Sequence, residues 1–339
     1  MRQQSSHLEL AVPKGLEAGG KIMLENTIDR PKLRAPSKLR GPLKCHGGKY
    51  YLVHELRPLF QQAVTSMAAA CASVSVEPRL RFIDACGGGG SVTLNVDGFD
   101  QQVYNDLDPE RANLFSVIKN RCSELVVRLR RLKYCSEVFE AATHRTNVGT
   151  LILEPSSLDP IEAAVDCCVA NRMSRGGLGK SFAWSERLRG GQPGDLNAWE
   201  TMLDLLPVIA KRLQRVEIFC VDVLDLLAGN VGFNVDANTL VYLDPPYHHS
   251  TRSVKKAYRY EFTGQAHETL LKLALRSPAR IAISGYRCEL YDRLLGHWRS
   301  IEFNMPNHSG QNETKQRRTE VLWTNWNGAT ENSFQQAAA

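Results

Sequence analysis

A doubly wound α/β sheet with a helical insertion is predicted for this chain, and three observations predict it. An apolar strand pattern, Arg81-Phe82-Ile83-Asp84-Ala85-Cys86, runs into four consecutive glycines, Gly87 to Gly90. A second strand, Gln102-Val103-Tyr104-Asn105-Asp106, follows and leads into a helix opened by Pro109. Strand patterns return at Val216 to Val221, Thr239 to Leu243, Ile281 to Ser284 and near Val321 to Thr324. Strand, glycine turn, helix, strand is half of a doubly wound sheet, and the later strands complete it.

The elements follow in order. Residues 1 to about 40 are rich in Lys, Arg, Gly and Pro without sustained periodicity, so a basic, mostly disordered arm is expected. Leu52 to Cys71 has apolar positions at helical spacing. After the glycines, Ser91 to Val96 reads as the start of a helix, and Arg111 to Lys119 continues the helix from Pro109. From Arg121 to Arg215 the strand signals fade and helical patterns dominate, broken by a polar loop, Arg172 to Asp195, studded with Gly, Arg and Lys. The economical organisation is one split domain, 41–120 and 216–326, with a helical insertion at 121–215 and a disordered tail at 327–339.

Composition narrows the function classes. The chain has 339 residues, 43% of them hydrophobic, enough to bury a sizeable core. No apolar run reaches the roughly 20 residues of a membrane helix; Ala63 to Val76, the most apolar stretch, is short and carries hydroxyl residues. Met1 to Glu9 is polar with no apolar region behind it, which argues against a secretory signal. Nine cysteines without a CxxC pair favour a reducing cytoplasm over a disulfide framework or a metal site, and no metal is expected. The net charge of +6 suits a polyanionic partner without requiring one.

Chemistry concentrates in two loops. Four glycines after a strand offer backbone freedom and close approach, so they are expected to serve a ligand lying on the main chain rather than packing. The spacing is not GxGxxG, because Ser91 and Val92 follow, and no Gly-Lys-Ser/Thr is present. Alone, this turn leaves a ligand site and a bare turn equally open. Asp106 ends the second strand, where a carboxylate can accept from ribose hydroxyls; Asp108 is the better cap for the helix at Pro109, which leaves Asp106 for a ligand. Asp222, after the third strand, can accept from an adenine amino group or cap the helix before Leu224.

The second loop is Asp244-Pro245-Pro246-Tyr247, directly after the apolar strand Leu240-Val241-Tyr242-Leu243. Two prolines fix φ and remove two backbone donors. The loop then presents a carboxylate, the Pro245 carbonyl and an aromatic face in a rigid array. An exocyclic amine has two N–H donors on a flat ring, and stacking on Tyr247 is worth roughly 1–3 kcal/mol. Basic residues suited to phosphates stand in the insertion loop: Arg172, Arg175, Lys180, Arg187 and Arg189, with Arg252 beyond the tetrapeptide.

Taken together these motifs resemble the Dam-type, D12 class, DNA adenine-N6 methyltransferases. Pro42 to Tyr50 is similar to the family's opening motif, Arg81 to Val92 to its cofactor glycine motif, Val103 to Asp108 to its ribose segment, and Phe219 to Leu227 to its adenine-binding segment. Asp244 to Tyr247 matches the catalytic tetrapeptide, and Ile283 to Tyr286 and Arg318 to Asn325 match late strands. The match runs from about residue 42 to 326 in family order. It implies a Rossmann-like sheet, S-adenosylmethionine as cofactor, double-stranded DNA as substrate, and the insertion as target-recognition domain; a monomer is expected, with a dimer as the alternative. It further implies cofactor contacts from Lys44, Cys45, Lys49, Asp84, Gly87, Gly88, Gly89 and Ser91, alongside Asp106 and Asp222. Cys45 stands where the family usually has an aromatic, and Asp84-Ala85-Cys86 replaces an acid-Pro-Phe.

The mechanism implied is attack by N6 of a flipped-out adenine, its N–H groups held by Asp244 and the Pro245 carbonyl. Cytosine N4 and RNA adenine use similar tetrapeptides, and Asp rather than Ser at the first position leans toward adenine. A DNA-binding module without catalysis would not need an intact Asp244 and glycine turn. A nicotinamide enzyme fails on the glycine spacing.

Overall fold

In a computed structural model of the chain, the described residues are 38–45, 47–71, 79–151, 159–232, 234–251, 259–306 and 317–326. Nearly all of the expected N-terminal arm, the expected tail at 327–339 and Arg252 lie outside them. The strands are β1 (Arg81–Asp84), β2 (Gln101–Asn105), β3 (Leu188–Arg189), β4 (Gln192–Pro193), β5 (Val216–Phe219), β6 (Thr239–Leu243), β7 (Arg280–Gly285), β8 (Arg299–Pro306) and β9 (Arg317–Thr324). The helices are α1 (Val53–Cys71), α2 (Pro109–Arg131), α3 (Ser136–Leu151), α4 (Pro160–Arg172), α5 (Gly194–Leu213), α6 (Val223–Ala228), α7 (Gly264–Arg276) and α8 (Glu289–Leu295).

Seven strands form one sheet in the order β5-β2-β1-β6-β7-β9-β8. The five from β5 to β7 are parallel, and β9 runs antiparallel between β7 and β8. The chain winds from β1 to β2 to β5, then returns to β6 on the other side of β1. That reversal makes the carboxyl ends of β1 and β6 the switch point, where an open sheet leaves a crevice for ligands. Glycine turn and tetrapeptide, the two loops singled out by sequence, follow these two strands.

Alternation fixes the faces of the central strands. Phe82, Leu240, Tyr242, Ala282 and Leu322 point to one face, where Leu52, Leu56, Phe60, Ala63 and Met67 of the α1 region cover them. Ile83, Val241, Leu243, Ile281, Ile283 and Trp323 point to the other, under α6, α7 and α8. These strands are buried on both sides, as parallel strands are.

The helical segment is continuous with the sheet. Leu114, Phe115 and Ile118 of α2 share one core with Tyr104, with Ile161 and Cys168 of α4, and with Trp199, Leu206 and Leu213 of α5. α2 runs through the expected 120/121 boundary, leaving helical geometry only at Arg121 (φ −132°, ψ 31°). Three local expectations change. Ser91 to Val96 forms successive turns rather than a helix. The polar loop contains the β3–β4 hairpin, whose turn glycines Gly190 and Gly191 have φ of 61° and 83°, the left-handed values a two-residue hairpin turn demands. Edge strand β8 was not foreseen, although Ile301 and Phe303 pack on the α1 face. Among the described residues no helix is long and apolar enough to cross a membrane.

Candidate active site

A cavity of about 840 Å³ opens at the switch point. Its wall includes Asp244, Pro245, Pro246 and Tyr247 together with Lys44, Cys45, Lys49, Asp84, Gly87, Gly88, Gly89, Ser91, Asp106 and Asp222. The structure therefore brings every expected catalytic and cofactor residue to one crevice, of a volume usual for small-molecule sites.

The glycine turn is built for two purposes. A Cβ on Gly87 would lie 2.3 Å from the Tyr104 ring, and one on Gly90 2.6 Å from Phe115, whose ring stacks on Tyr104 at 4.2 Å. These two glycines are packing glycines, which corrects the expectation that the run serves a ligand alone. Gly88 is different. Its φ of +51° demands glycine, yet a Cβ there would meet nothing closer than 3.8 Å. Gly88 borders the crevice, its amide held by Asp106 and its carbonyl by the Tyr104 hydroxyl.

Carboxylates around the turn are largely engaged by the protein. Asp106 accepts from the Gly88 amide at 2.7 Å and the Asp108 amide at 2.9 Å, so it shapes the turn rather than standing free. Asp84 is buried and accepts from the Thr93 amide and hydroxyl; burial raises its pKa to about 7. Asp222 caps α6 by accepting from the Leu224 amide, and still borders the cavity. Asn105, not foreseen as important, donates to the carbonyls of Ala85 and Val221 and accepts from the Val221 amide. It thereby ties together the ends of three strands.

The opening segment is stitched to the helical region. Asn171 exchanges two hydrogen bonds with the Lys44 backbone, at 2.8 and 2.9 Å. The Lys44 ammonium donates to the carbonyls of Arg172 and Ser174 at the end of α4, and burial lowers its pKa. The Cys45 side chain packs on Gly88 and Gly89, and burial raises its thiol pKa.

Lys49 departs furthest from its expected role. Its ammonium lies 2.6 Å from both oxygens of Asp244 and 3.2 Å from Glu320. Burial works against its charge, but Asp244, Tyr247 and Glu320 outweigh it and the pKa is raised. Glu320, from β9, accepts from the hydroxyls of Tyr51 and Tyr247 as well. Burial raises the Asp244 pKa, Lys49 lowers it and Glu320 raises it, giving about 6. The Asp244 side chain keeps 17% exposure, enough to meet a ligand in the cavity. The Tyr247 ring meets Tyr286 edge-on at 4.7 Å. Glu320 and Tyr51 were not among the expected site residues. An acid directly before the apolar run Val321-Leu322-Trp323 was the available signal for the first.

The basic residues divide. Arg175, Lys180, Arg187 and Arg189 are exposed. Arg187 and Arg189 lie at the β3–β4 hairpin, whose Leu188 is 65% exposed, and the loop from Gly176 to Lys180 borders the cavity. Arg172 is turned inward instead, donating to the Ala198 carbonyl, with its pKa lowered by burial. It is thereby removed from the phosphate-binding candidates. Among the described residues no group of three or more His, Cys, Asp or Glu is placed to hold a metal ion.

No curated protein sequence matches the chain. Among solved structures, the rRNA methyltransferase aviRa from Streptomyces viridochromogenes aligns over 83% of this chain and 87% of its own, with 15% identity and a TM-score of 0.34. The family model of the D12 class N6 adenine-specific DNA methyltransferases matches residues 46–301.

Proposed function

The chain belongs to the D12 class N6 adenine-specific DNA methyltransferase family, and on that premise we propose that Asp244 holds the N6 amine of a flipped-out adenine in the switch-point cavity, against S-adenosylmethionine bound at the glycine turn. One observation carries this proposal: Asp244 and the glycine turn at Gly88 border the same crevice at the carboxyl ends of adjacent strands.

The residues present fit the cofactor. Gly88 leaves space for a ligand against the backbone, and Asp222 and Ser91 offer polar groups along the same wall. When bound, the cofactor supplies an electrophilic methyl group. The chain's own groups do the rest. Asp244 and the Pro245 carbonyl accept the two N6–H bonds, which favours a tetrahedral nitrogen and frees its lone pair for attack. Tyr247, its hydroxyl held by Glu320, offers a fixed aromatic wall for the base. Flipping costs a few kcal/mol, which contacts outside the pocket offset. The exposed Arg175, Lys180, Arg187 and Arg189 are assigned to DNA, with the 121–215 segment as the target-recognition element.

Asp244→Ala tests the assignment. Methyl transfer from tritiated cofactor to unmethylated genomic DNA is expected to vanish, while calorimetry still detects S-adenosylmethionine binding. Retained transfer refutes it. Long-read sequencing of DNA from expressing cells would identify the base and its sequence context.

A further inference from the structure

Lys49 raises a problem for the proposed chemistry. An acceptor for the N6 amine works best with negative charge, yet the ammonium 2.6 Å from both Asp244 oxygens cancels that charge. The structure supplies a second acid at the same ammonium. Glu320 lies 3.2 Å from Lys49 Nζ and is itself 2% exposed. It takes donors from Lys49, Tyr51 and Tyr247, so its oxygens act only as acceptors, as in the ionised form. One ammonium between two carboxylates leaves a single net negative charge beside the cavity.

We propose that Glu320 is a positioning residue for methyl transfer: it offsets the Lys49 charge, so that Asp244 meets the amine from a net-negative site, and it fixes the Tyr247 ring through its hydroxyl. The proposal rests on Asp244 being the N6 acceptor. In the reaction, the N6–carbon bond forms as the carbon–sulfur bond breaks, and the electron pair of the broken bond stays on sulfur. Positive charge passes from sulfur to N6, which then releases a proton to the Asp244 carboxylate. The charge thus arrives next to the acid that Glu320 keeps uncompensated. In a buried, water-poor site, preorganised charge of this kind acts strongly.

A bland alternative is that Glu320 only satisfies two buried tyrosines. The two differ in pH dependence. Asp244 is faced by Lys49 and Tyr51 from the turn before α1, by Asp84 and Cys86 at the end of β1, and by Tyr242 of β6. Cys45 of the opening segment, Tyr247 beyond the tetrapeptide prolines, Tyr291 of α8 and Glu320 of β9 complete the set. Of these, Glu320 acts directly to raise the Asp244 pKa. Removing its charge must move the acid limb of the rate downward, which loss of a prop would not do.

The experiment compares wild type, Glu320→Gln, Glu320→Asp and Asp244→Asn in single-turnover methylation of unmethylated genomic DNA from pH 5 to 8. Cofactor affinity and thermal unfolding are measured alongside. Glu320→Gln is expected to slow transfer about 10–100-fold with cofactor affinity retained, and to shift the acid limb down by about one pH unit. Glu320→Asp, which keeps the charge but withdraws from Tyr247, is expected to be slow with its acid limb unmoved. A Glu320→Gln enzyme with wild-type rate, or slow with an unmoved limb, overturns the proposal. If that variant does not fold, a wild-type rate in Glu320→Asp overturns it instead. An active Asp244→Asn would instead sink the underlying assignment of Asp244, whatever the Glu320 variants do.

Discussion

Replacing Lys49 by Met keeps the length of the side chain and removes the ammonium shared by Asp244 and Glu320. At 2.6 and 3.2 Å, and an effective dielectric of about 20, those attractions are roughly 6 and 5 kcal/mol. Desolvation of the three charges and repulsion between the two acids oppose them, so the net loss is smaller. Removing one member of a buried pair typically costs about 3–5 kcal/mol, and that is the loss of stability expected near pH 8. The loss should shrink on acidification. The folded-state pKa of Asp244 is about 6, above its ordinary 3.8, and Lys49 is the group holding it down. In Lys49→Met it rises further. Stability from protonating a carboxyl with a raised folded pKa is full below the unfolded pKa and is lost as pH climbs through the folded one. The variant therefore regains stability at a higher pH than wild type would, and the gap narrows by pH 5.5. Urea unfolding followed by the fluorescence of buried Trp199 and Trp323 measures both gaps. A loss under about 1 kcal/mol at pH 8, or one equal at the two pH values, refutes the charge assignment made from this geometry.

Four further outcomes are expected. Wild-type methyl transfer under single-turnover conditions should fall as pH drops through about 6, where Asp244 takes up its proton. Gly87→Ala should lower stability by about 1–3 kcal/mol, read as a thermal shift, because its Cβ would strike the Tyr104 ring. Arg212→Ala removes bonds from α5 to the carbonyls of Thr93 and Val96 and to Gln102; a loss of about 1–3 kcal/mol is expected in urea unfolding. Arg187→Ala and Arg189→Ala should each reduce the slope of log affinity for DNA against log salt by about one, with cofactor affinity unchanged in calorimetry.

The parallel half of the fold was legible because β6 is a near-continuous apolar run closed by Asp-Pro-Pro, and the short apolar stretch of β1 runs into four glycines. β8 was missed although Ile301 and Phe303 alternate with Ser300, Glu302 and Asn304, a pattern of period two with one face wet. At Ser91 to Val96 the expected helix is replaced by successive turns, with Asp84 taking the Thr93 amide and hydroxyl. In the site, the tetrapeptide and glycines were visible as local strings. The ion-pair network was not, since Lys49, Asp244 and Glu320 meet only through tertiary structure. Arg172 illustrates the same limit in reverse: a basic residue near glycines suggests a phosphate contact, but the helix turns it toward the Ala198 carbonyl.

Glu320 reaches its partners from β9, an interior strand that joins β8 to the rest of the sheet. The hydrogen bond from Tyr51 to Glu320 spans 269 residues of sequence. Protein synthesis delivers that strand after every other element described here. A nascent chain halted before residue 317 already possesses the glycine turn, Asp244 and Lys49, yet its β7 edge is open and its β8 has no neighbour. Such a fragment loses an interior strand rather than a trailing end, and exposes unpaired strand edges to other chains. Closure of the sheet and completion of the charge network thus depend on the same strand, and a ribosome-bound chain short of β9 is left without the second acid of the site.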